Sequence, residues 1–400
     1  MNREDFPIFS KNKNLIYLDN GATTLKPKTV IDSVVDYYST YTANAHRGDY
    51  DNSIEVDQKF EGVRTKVKNF IGSNSEKEII FTKGTTDSLN MIVFGFMKYY
   101  LTEGDEVLLT RSEHASNVLP WFELANDIGI KIKFIKLDDD YCVSKENIEN
   151  AITEKTKVIS LAHITNVIGD IRDIKMIGEI CNNNNILFVV DAAQSIGHIK
   201  VDVVENKIDF LAFSAHKMFG PTGIGILYGK ESLLEKMVPT SYGGGMNSFF
   251  ESTGEIEYKN LPERLEAGTQ NIAGVIGLGA AIDYINKIGI DNIHNYELEL
   301  KKYALEKLKT IENIKIYNEK SKAGIIVFNL DKIFSQDLAV YLNYYKICVR
   351  SGNHCAKILK EEIKTSNTCR ASLSIYNNKE EIDKLVDVLK NSSNIYEIIL

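Results

Sequence analysis

Between residues 78 and 228, short apolar runs alternate with longer helix-like stretches, and this alternation sharply limits the folds open to the chain. The runs cover residues 78–82, 106–110, 131–137, 158–162, 186–190, 210–214 and 223–228. Each has the length of a strand, and most are apolar throughout, as strands buried on both faces are. Strands separated by helical patterns become parallel neighbours joined by crossover helices. The expected fold is therefore α/β, a mainly parallel seven-stranded sheet covered by helices on both faces. Gly220-Pro221-Thr222-Gly223 joins the last two runs through a short turn, which predicts one antiparallel edge.

The 400 residues exceed one ordinary domain. Gly243-Gly244-Gly245 opens a loop that runs to about Arg264, and a long helical pattern leads from Gly274 through Lys307. Short strands near 324–329 and 347–350, a helix between them and a terminal helix near 379–391 predict a smaller α+β unit. The division expected is 20–275 for the large unit, with 1–19 and 276–400 forming the small one.

Composition removes several classes of function. The chain is 44% hydrophobic and 26% charged with a net charge of −8, and it has no long basic block. Nucleic acid and anionic membrane are therefore not expected partners. No stretch has signal-peptide or membrane-span character, so the expected location is cytoplasmic. The five cysteines, at 142, 181, 348, 355 and 369, show no Cys-x-x-Cys and no zinc-like spacing. They read as free thiols, and no metal site is expected.

In open α/β sheets, ligands sit at the carboxyl ends of the strands, and here those ends carry chemistry. Run 186–190 ends in Asp191, with Gln194 one turn on. Run 210–214 ends in Ser214-Ala215-His216-Lys217. Lys217 alone reads as a solvated surface residue, and Asp191 alone as a turn or cap. Together they offer an amine able to form a Schiff base, a carboxylate for a pyridinium nitrogen and small polar groups for a phosphate. Pyridoxal phosphate needs that combination. After run 78–82, Thr85 and Thr86 open a helix whose N–H groups and hydroxyls suit a phosphate, or form a plain N-cap. His114 follows run 106–110 and could stack on a ring or move protons. Asn166 follows run 158–162 and could bind a substrate carboxylate, bind a cofactor oxygen, or close a turn.

A second informative stretch is Val349-Arg350-Ser351-Gly352-Asn353-His354-Cys355-Ala356, followed by Thr368-Cys369-Arg370-Ala371-Ser372. Free cysteines are ordinarily buried and inert. Cys355 differs because it lies in a Gly-containing polar loop near Arg350 and His354, a setting that favours a thiolate. Arg350 and Arg370 each suit a carboxylate clamp or a surface ion pair.

Residues 214–225 (Ser-Ala-His-Lys-Met-Phe-Gly-Pro-Thr-Gly-Ile-Gly), 190–195 (Val-Asp-Ala-Ala-Gln-Ser) and 266–271 (Glu-Ala-Gly-Thr-Gln-Asn) resemble the class V aminotransferase-fold enzymes. With 350–356 (Arg-Ser-Gly-Asn-His-Cys-Ala) and 369–373 (Cys-Arg-Ala-Ser-Leu), the chain resembles the SUF-type, group II cysteine desulfurases. The similarity runs from Leu18-Asp19-Asn20-Gly21-Ala22 nearly to the C-terminus. The resemblance implies the pyridoxal-phosphate transferase fold of type I. It implies that Lys217 carries the Schiff base, Asp191 pairs with the ring nitrogen, Gln194 meets the ring oxygen and His114 stacks on the ring. Thr86, Ser214 and His216 would hold the phosphate, joined by Thr269 from the second subunit of a homodimer. Asn166 and Arg370 would bind the substrate carboxylate.

By the same resemblance, L-cysteine becomes L-alanine while Cys355 accepts the sulfur. The resulting persulfide goes to a sulfur-acceptor protein for iron–sulfur cluster assembly. A selenocysteine lyase, another β-eliminating enzyme or a scaffold without turnover are the alternatives. Asn353 departs from the family's usual second histidine, and Asp170 and Gln270 also differ from the common pattern. Gln336 stands 19 residues before Cys355, where members using a zinc-containing acceptor often carry histidine.

Overall fold

A computed structural model describes residues 3–46, 48–392 and 395–399. Met1 and Asn2, the start of the unit expected at 1–19, lie outside the described residues.

Seven strands form the central sheet: β1 (Ile79–Thr82), β2 (Glu106–Thr110), β3 (Lys131–Ile135), β4 (Thr156–Ala162), β5 (Leu187–Asp191), β6 (Phe210–Ser214) and β7 (Gly225–Gly229). Their order across the sheet is β1-β7-β6-β5-β4-β2-β3. Neighbours from β6 through β3 are parallel, whereas β7 is antiparallel to both β6 and β1. The α/β class and strand count are as expected, but the antiparallel strand is not at the edge. The connection between β6 and β7 is also longer than a turn: it spans 215–224 and includes the 3-10 helix Ala215–Lys217. Those extra residues let the chain cross the strand ends before it reverses into the gap beside β1.

Period-two alternation along the strands builds two cores. Phe188 and Val190 of β5, with Leu211 and Phe213 of β6, join one buried cluster, while Val189, Phe210 and Ala212 join the other. Each of these side chains apart from Ala212 contributes about 1.5–3 kcal/mol when fully buried. The sheet is therefore fixed from both faces, and its rim is rigid enough to hold a site.

The C-terminal part builds an antiparallel four-stranded sheet in the spatial order Ile314–Ile316, Ile325–Leu330, Thr368–Ser372, Arg350–Gly352. One face packs on helices through Leu300, Leu338, Tyr341 and Leu385. The other face meets the loop after β4: Ile325, Val327, Ala356 and Leu359 share a cluster with Ile164, Val167 and Ile168. This contact brings the Cys355 loop to the rim of the large sheet.

The N-terminus ties in here too. Ile16–Tyr17 pairs with Ile347–Cys348, and Arg3 reaches Glu381 at 2.5 Å. The long helical pattern is two helices, Ile272–Ile288 and Ile290–Leu308, bent by 73° at Gly289. The loop after Gly245 contains an antiparallel hairpin, Asn247–Phe250 with Ile256–Tyr258. No single described helix is long and apolar enough to cross a membrane.

Candidate active site

Strand register sets the centre of the site. β5 delivers Asp191 beside Ala212 of β6, and β6 runs two residues further to Ser214. The 3-10 turn that follows ends in Lys217. The His216 carbonyl in this turn accepts hydrogen bonds from Thr24 N, Thr23 Oγ1 and Lys26 Nζ at 3.0 Å each. One carbonyl oxygen is thus held by three donors of the 23–26 segment, leaving the Lys217 side chain to project from a fixed base.

Lys217, Asp191 and Gln194 line a cavity of about 220 Å³. Burial pushes the Lys217 amine down to about 8, although Asp191 opposes the shift. Burial pushes Asp191 up to about 6, and the Ala193 N–H, 2.9 Å from Oδ1, works against that rise. Asp191 is therefore mainly ionised at neutral pH, and Lys217 is poised close to it. Gln194 donates from Nε2 to the Gly21 carbonyl at 2.7 Å, which orients its amide at the cavity wall.

One end of the cavity is rich in small donors. Thr85, Thr86, Ser214 and His216 line it. Ser214 Oγ lies 2.7 Å from both Thr85 N and Thr85 Oγ1, and Thr86 Oγ1 lies 2.7 Å from Ser116 Oγ. Gly84 precedes the helix at φ 151°, a conformation open to glycine. A Cβ on Gly225 would fall 2.5 Å from the Gly84 Cα, so both glycines are required for β1 and β7 to converge here. Burial, with Lys217 and Lys26 nearby, holds His216 down to about 4.

His114 caps the short turn Ala115–Asn117, its Nδ1 accepting from Ser116 N at 3.1 Å. The ring proton is thereby placed on Nε2. Burial, then Lys217, Arg350 and Arg370, push His114 down to about 4, so it is a neutral ring at pH 7.

The opposite end is cationic. Arg370 is 1% exposed and donates from Nη1 to the Asn166 carbonyl at 2.8 Å and from Nη2 to Asp19 at 3.3 Å. Its Nε and the Asn166 Oδ1 are buried without partners. Arg350 also lines this end and sits directly across the strand pair from Arg370. His354, likewise in the wall, is held down to about 3 by burial and the two arginines.

Cys355 stands outside the lining and is exposed, with Arg350 Nη2 3.9 Å from Sγ. Cys181 and Cys369 are buried, while Cys142 and Cys348 are half-buried. The Asn353 departure has a structural role, because its Oδ1 accepts from Cys355 N at 3.0 Å and closes the turn. Gln336 is exposed and bonded to Ser335 Oγ. Thr269 is exposed and lines neither the cavity nor the open pocket beside Thr85 and Thr86.

Every other predicted site residue comes together in the cavity wall. The local sequence pattern does not mark the supports behind it: Asp19 on Arg370, Ser116 on His114, and Lys26 on the His216 carbonyl beside Lys217. Nor does it mark the buried pair of Arg172 and Glu113, 2.5 Å apart beneath the ends of β2 and β4. Asp19 lies in the quoted stretch 18–22, but nothing local identifies a partner 351 residues away.

Known proteins match this geometry over nearly the whole chain. The family model for class V aminotransferases matches residues 16–385. A probable cysteine desulfurase of Halalkalibacterium halodurans is 42% identical over 397 residues, covering 98% of this chain and 97% of that protein. A cysteine desulfurase structure from Thermococcus onnurineus NA1 superposes with a TM-score of 0.93 at 38% identity, covering 97% and 96% of the two chains. The Escherichia coli cysteine desulfurase CsdA, in an S-sulfonic acid form, gives 0.91 at 31% identity, covering 100% and 98%. From the strand-end lysine to the arginine-lined mouth, this chain belongs to the class V aminotransferase family.

Proposed function

We propose that the protein is a pyridoxal-phosphate-dependent cysteine desulfurase of the SUF type, group II. It converts L-cysteine to L-alanine and captures the sulfur as a persulfide on Cys355. The observation that carries this reading is a half-buried lysine facing a carboxylate in a cavity whose cationic end adjoins an exposed cysteine.

The donor set fits the cofactor. Hydroxyls and N–H groups suit its phosphate, Asp191 suits a ring nitrogen, and His114 suits the ring face. The unpartnered Arg370 Nε is a buried donor awaiting an anion such as the substrate carboxylate. Bound there, pyridoxal phosphate supplies a carbon that links to amines and a ring that takes up electrons from the substrate Cα.

The chain's own groups do the rest. Lys217 Nζ holds the cofactor and then, near its pKa, takes and returns the proton at the substrate Cα. Asp191 keeps a proton on the ring nitrogen, and Arg370, Arg350 and Asn166 orient the carboxylate. Cys355 Sγ, having released its proton, attacks the substrate sulfur: an S–S bond forms as the substrate Cβ–S bond breaks, its electron pair stays with Cβ, and Cβ takes up the proton that the Cys355 thiol released. One L-cysteine and one thiol thus give one L-alanine and one persulfide, with no external oxidant.

The reading includes a homodimer in which Thr269 of one subunit reaches the phosphate end of the other's site. It retains the division into 20–275 and 1–19 with 276–400. It gives the sulfur to an acceptor protein for iron–sulfur assembly in the cytoplasm. Gln336 in place of histidine argues for an acceptor without zinc, or for an exchange that recruits another residue, with His354 the nearest in sequence, since an amide is a poor zinc ligand.

The test is incubation with L-cysteine, measuring alanine and protein-bound persulfide together. Equal first-turnover amounts are expected from wild type and neither from Lys217→Ala. Alanine without persulfide on Cys355 would overturn the reading.

A further inference from the structure

Two consecutive carbonyls of the nucleophile's loop are gripped from two different strand-end loops. The His354 carbonyl accepts from Asn166 Nδ2 at 2.6 Å, and the Cys355 carbonyl accepts from the Ala115 N–H at 2.7 Å. Ala115 follows β2 and Asn166 follows β4, so both donors belong to the large sheet. Both acceptors lie on the loop that leaves the small sheet after Gly352.

His354 and Cys355 have φ of 52° and 60°, the left-handed region that an ordinary residue occupies only when its surroundings hold it there. The loop's internal bonds run from Cys355 N to Asn353 Oδ1 and from Ala356 N to Asn353 O. They shape the turn but do not fix where it points. The two carbonyl contacts cross from one sheet to the other, and with the packing of Ala356 and Leu359 on Ile164 and Val167 they fix it.

Asn166 has a second aspect. Its Nδ2 carries two hydrogens, of which one is committed to His354 O, and its Oδ1 is buried in the cavity wall without a partner. One carboxamide therefore faces the nucleophile loop on one side and the cavity on the other.

We propose that the Ala115 N–H and the Asn166 carboxamide are positioning groups that clamp the Cys355 loop over the cavity. Asn166 then holds the nucleophile loop and the substrate carboxylate through a single side chain. The substrate in this statement rests on the proposed desulfurase reading; the clamp does not.

Ala115→Pro isolates the clamp. Ala115 is the first residue of its 3-10 turn, and His114 before it is extended at φ −67°, ψ 148°. Proline is tolerated at such a position and after such a residue. The substitution removes one N–H and sets ring carbon where a carbonyl now sits 2.7 Å from the nitrogen, so the loop must leave. Ala115→Gly keeps the N–H and is the control.

Hydrogen–deuterium exchange of residues 351–359 is measured on the cofactor-loaded enzymes, alongside steady-state alanine formation. Ala115→Pro should speed exchange of that segment about tenfold, the scale of one buried hydrogen bond, while Ala115→Gly matches wild type. Its kcat should fall about tenfold with KM for L-cysteine within about twofold. Asn166→Ala should speed exchange similarly and raise KM as well. Unchanged exchange in Ala115→Pro, or an equal rise in Ala115→Gly, overturns the clamp. If Ala115→Pro does not fold, unchanged exchange in Asn166→Ala overturns it. If wild type makes no alanine from L-cysteine, the desulfurase reading fails, and exchange still decides the clamp.

Discussion

Glu266, in the stretch that leads to Thr269, should be among the costliest side chains to remove. It is 7% exposed and faces Arg64, which is 1% exposed. Two parallel bonds join them, Nη1 to Oε1 at 2.7 Å and Nη2 to Oε2 at 3.0 Å, and Oε1 also accepts from Phe81 N at 2.7 Å. Glu266→Leu leaves a buried guanidinium and a buried strand N–H short of partners. Breaking such a pair costs about 3–5 kcal/mol, and an orphaned amide adds about 1–3 kcal/mol. Arg64 retains the Ile79 carbonyl at 2.7 Å and Glu61 at 2.9 Å, so the lower end applies, about 3–4 kcal/mol. The double variant Arg64→Met, Glu266→Leu removes the stranded charge and should recover all but about 1–2 kcal/mol, the share of the Phe81 amide. Urea unfolding, fitted by linear extrapolation with cofactor content matched, measures both. A loss below about 1 kcal/mol in the single variant, or a double variant no more stable than the single, would refute the reasoning.

Borohydride should trap the cofactor on Lys217 alone, as peptide mapping would read; an adduct on another lysine sinks the assignment. Cys355→Ser should still change the cofactor spectrum with L-cysteine yet lose most alanine release, and a persulfide on Cys369 would move the nucleophile. Light scattering should find a dimer at assay concentration, with Thr269→Ala lowering cofactor retention; an active monomer contradicts the shared site. Acid should destabilise the cofactor-free fold early. Five histidines (114, 163, 216, 294 and 354) are held below their ordinary value and two (46 and 198) above it. Below pH 6.5 the raised pair is protonated in both states, so near pH 5 the three most deeply buried of the depressed set, 114, 163 and 354, make the unfolded chain bind about three more protons than the native one, a slope of roughly 4 kcal/mol per pH unit. The depressed group stabilises the fold above pH 6.5 and loses that contribution on acidification. A urea midpoint that stays flat from pH 6.5 to 5 would contradict this.

Much of the site could be read in the sequence because each strand of the large sheet announces its own end. Asp191, Lys217, His114 and Asn166 follow apolar runs that can only be buried, so their shared rim follows from the parallel order. The insertion of β7 could not be read, since a turn-like Gly-Pro-Thr-Gly does not say which neighbour the returning strand will find. Arg350–Gly352 was only half anticipated because three polar residues carry no strand pattern; pairing with 368–370 makes the strand. The hairpin at 247–258 escaped for a different reason: Phe249, Phe250 and Ile256 are exposed, so burial did not shape their order. The Asp19, Ser116 and Lys26 supports depend on contacts between distant segments, which local pattern cannot supply.

The reversed strand also dictates how the chain must be born. Among the described residues β1 finds no partner in the sheet except β7, its Ile79 lying opposite Tyr228 about 150 residues later. At ribosomal rates of 5–20 residues per second, β1 waits roughly 7–30 s for its neighbour. During that interval Ile79-Ile80-Phe81 is an apolar edge open to any strand, while β2 to β6 can already pair among themselves. Production of this protein should therefore be limited by the nascent chain's exposure at β1. Slowing translation between codons 83 and 225 should raise the share lost to inclusion bodies, and holdase chaperones should lower it.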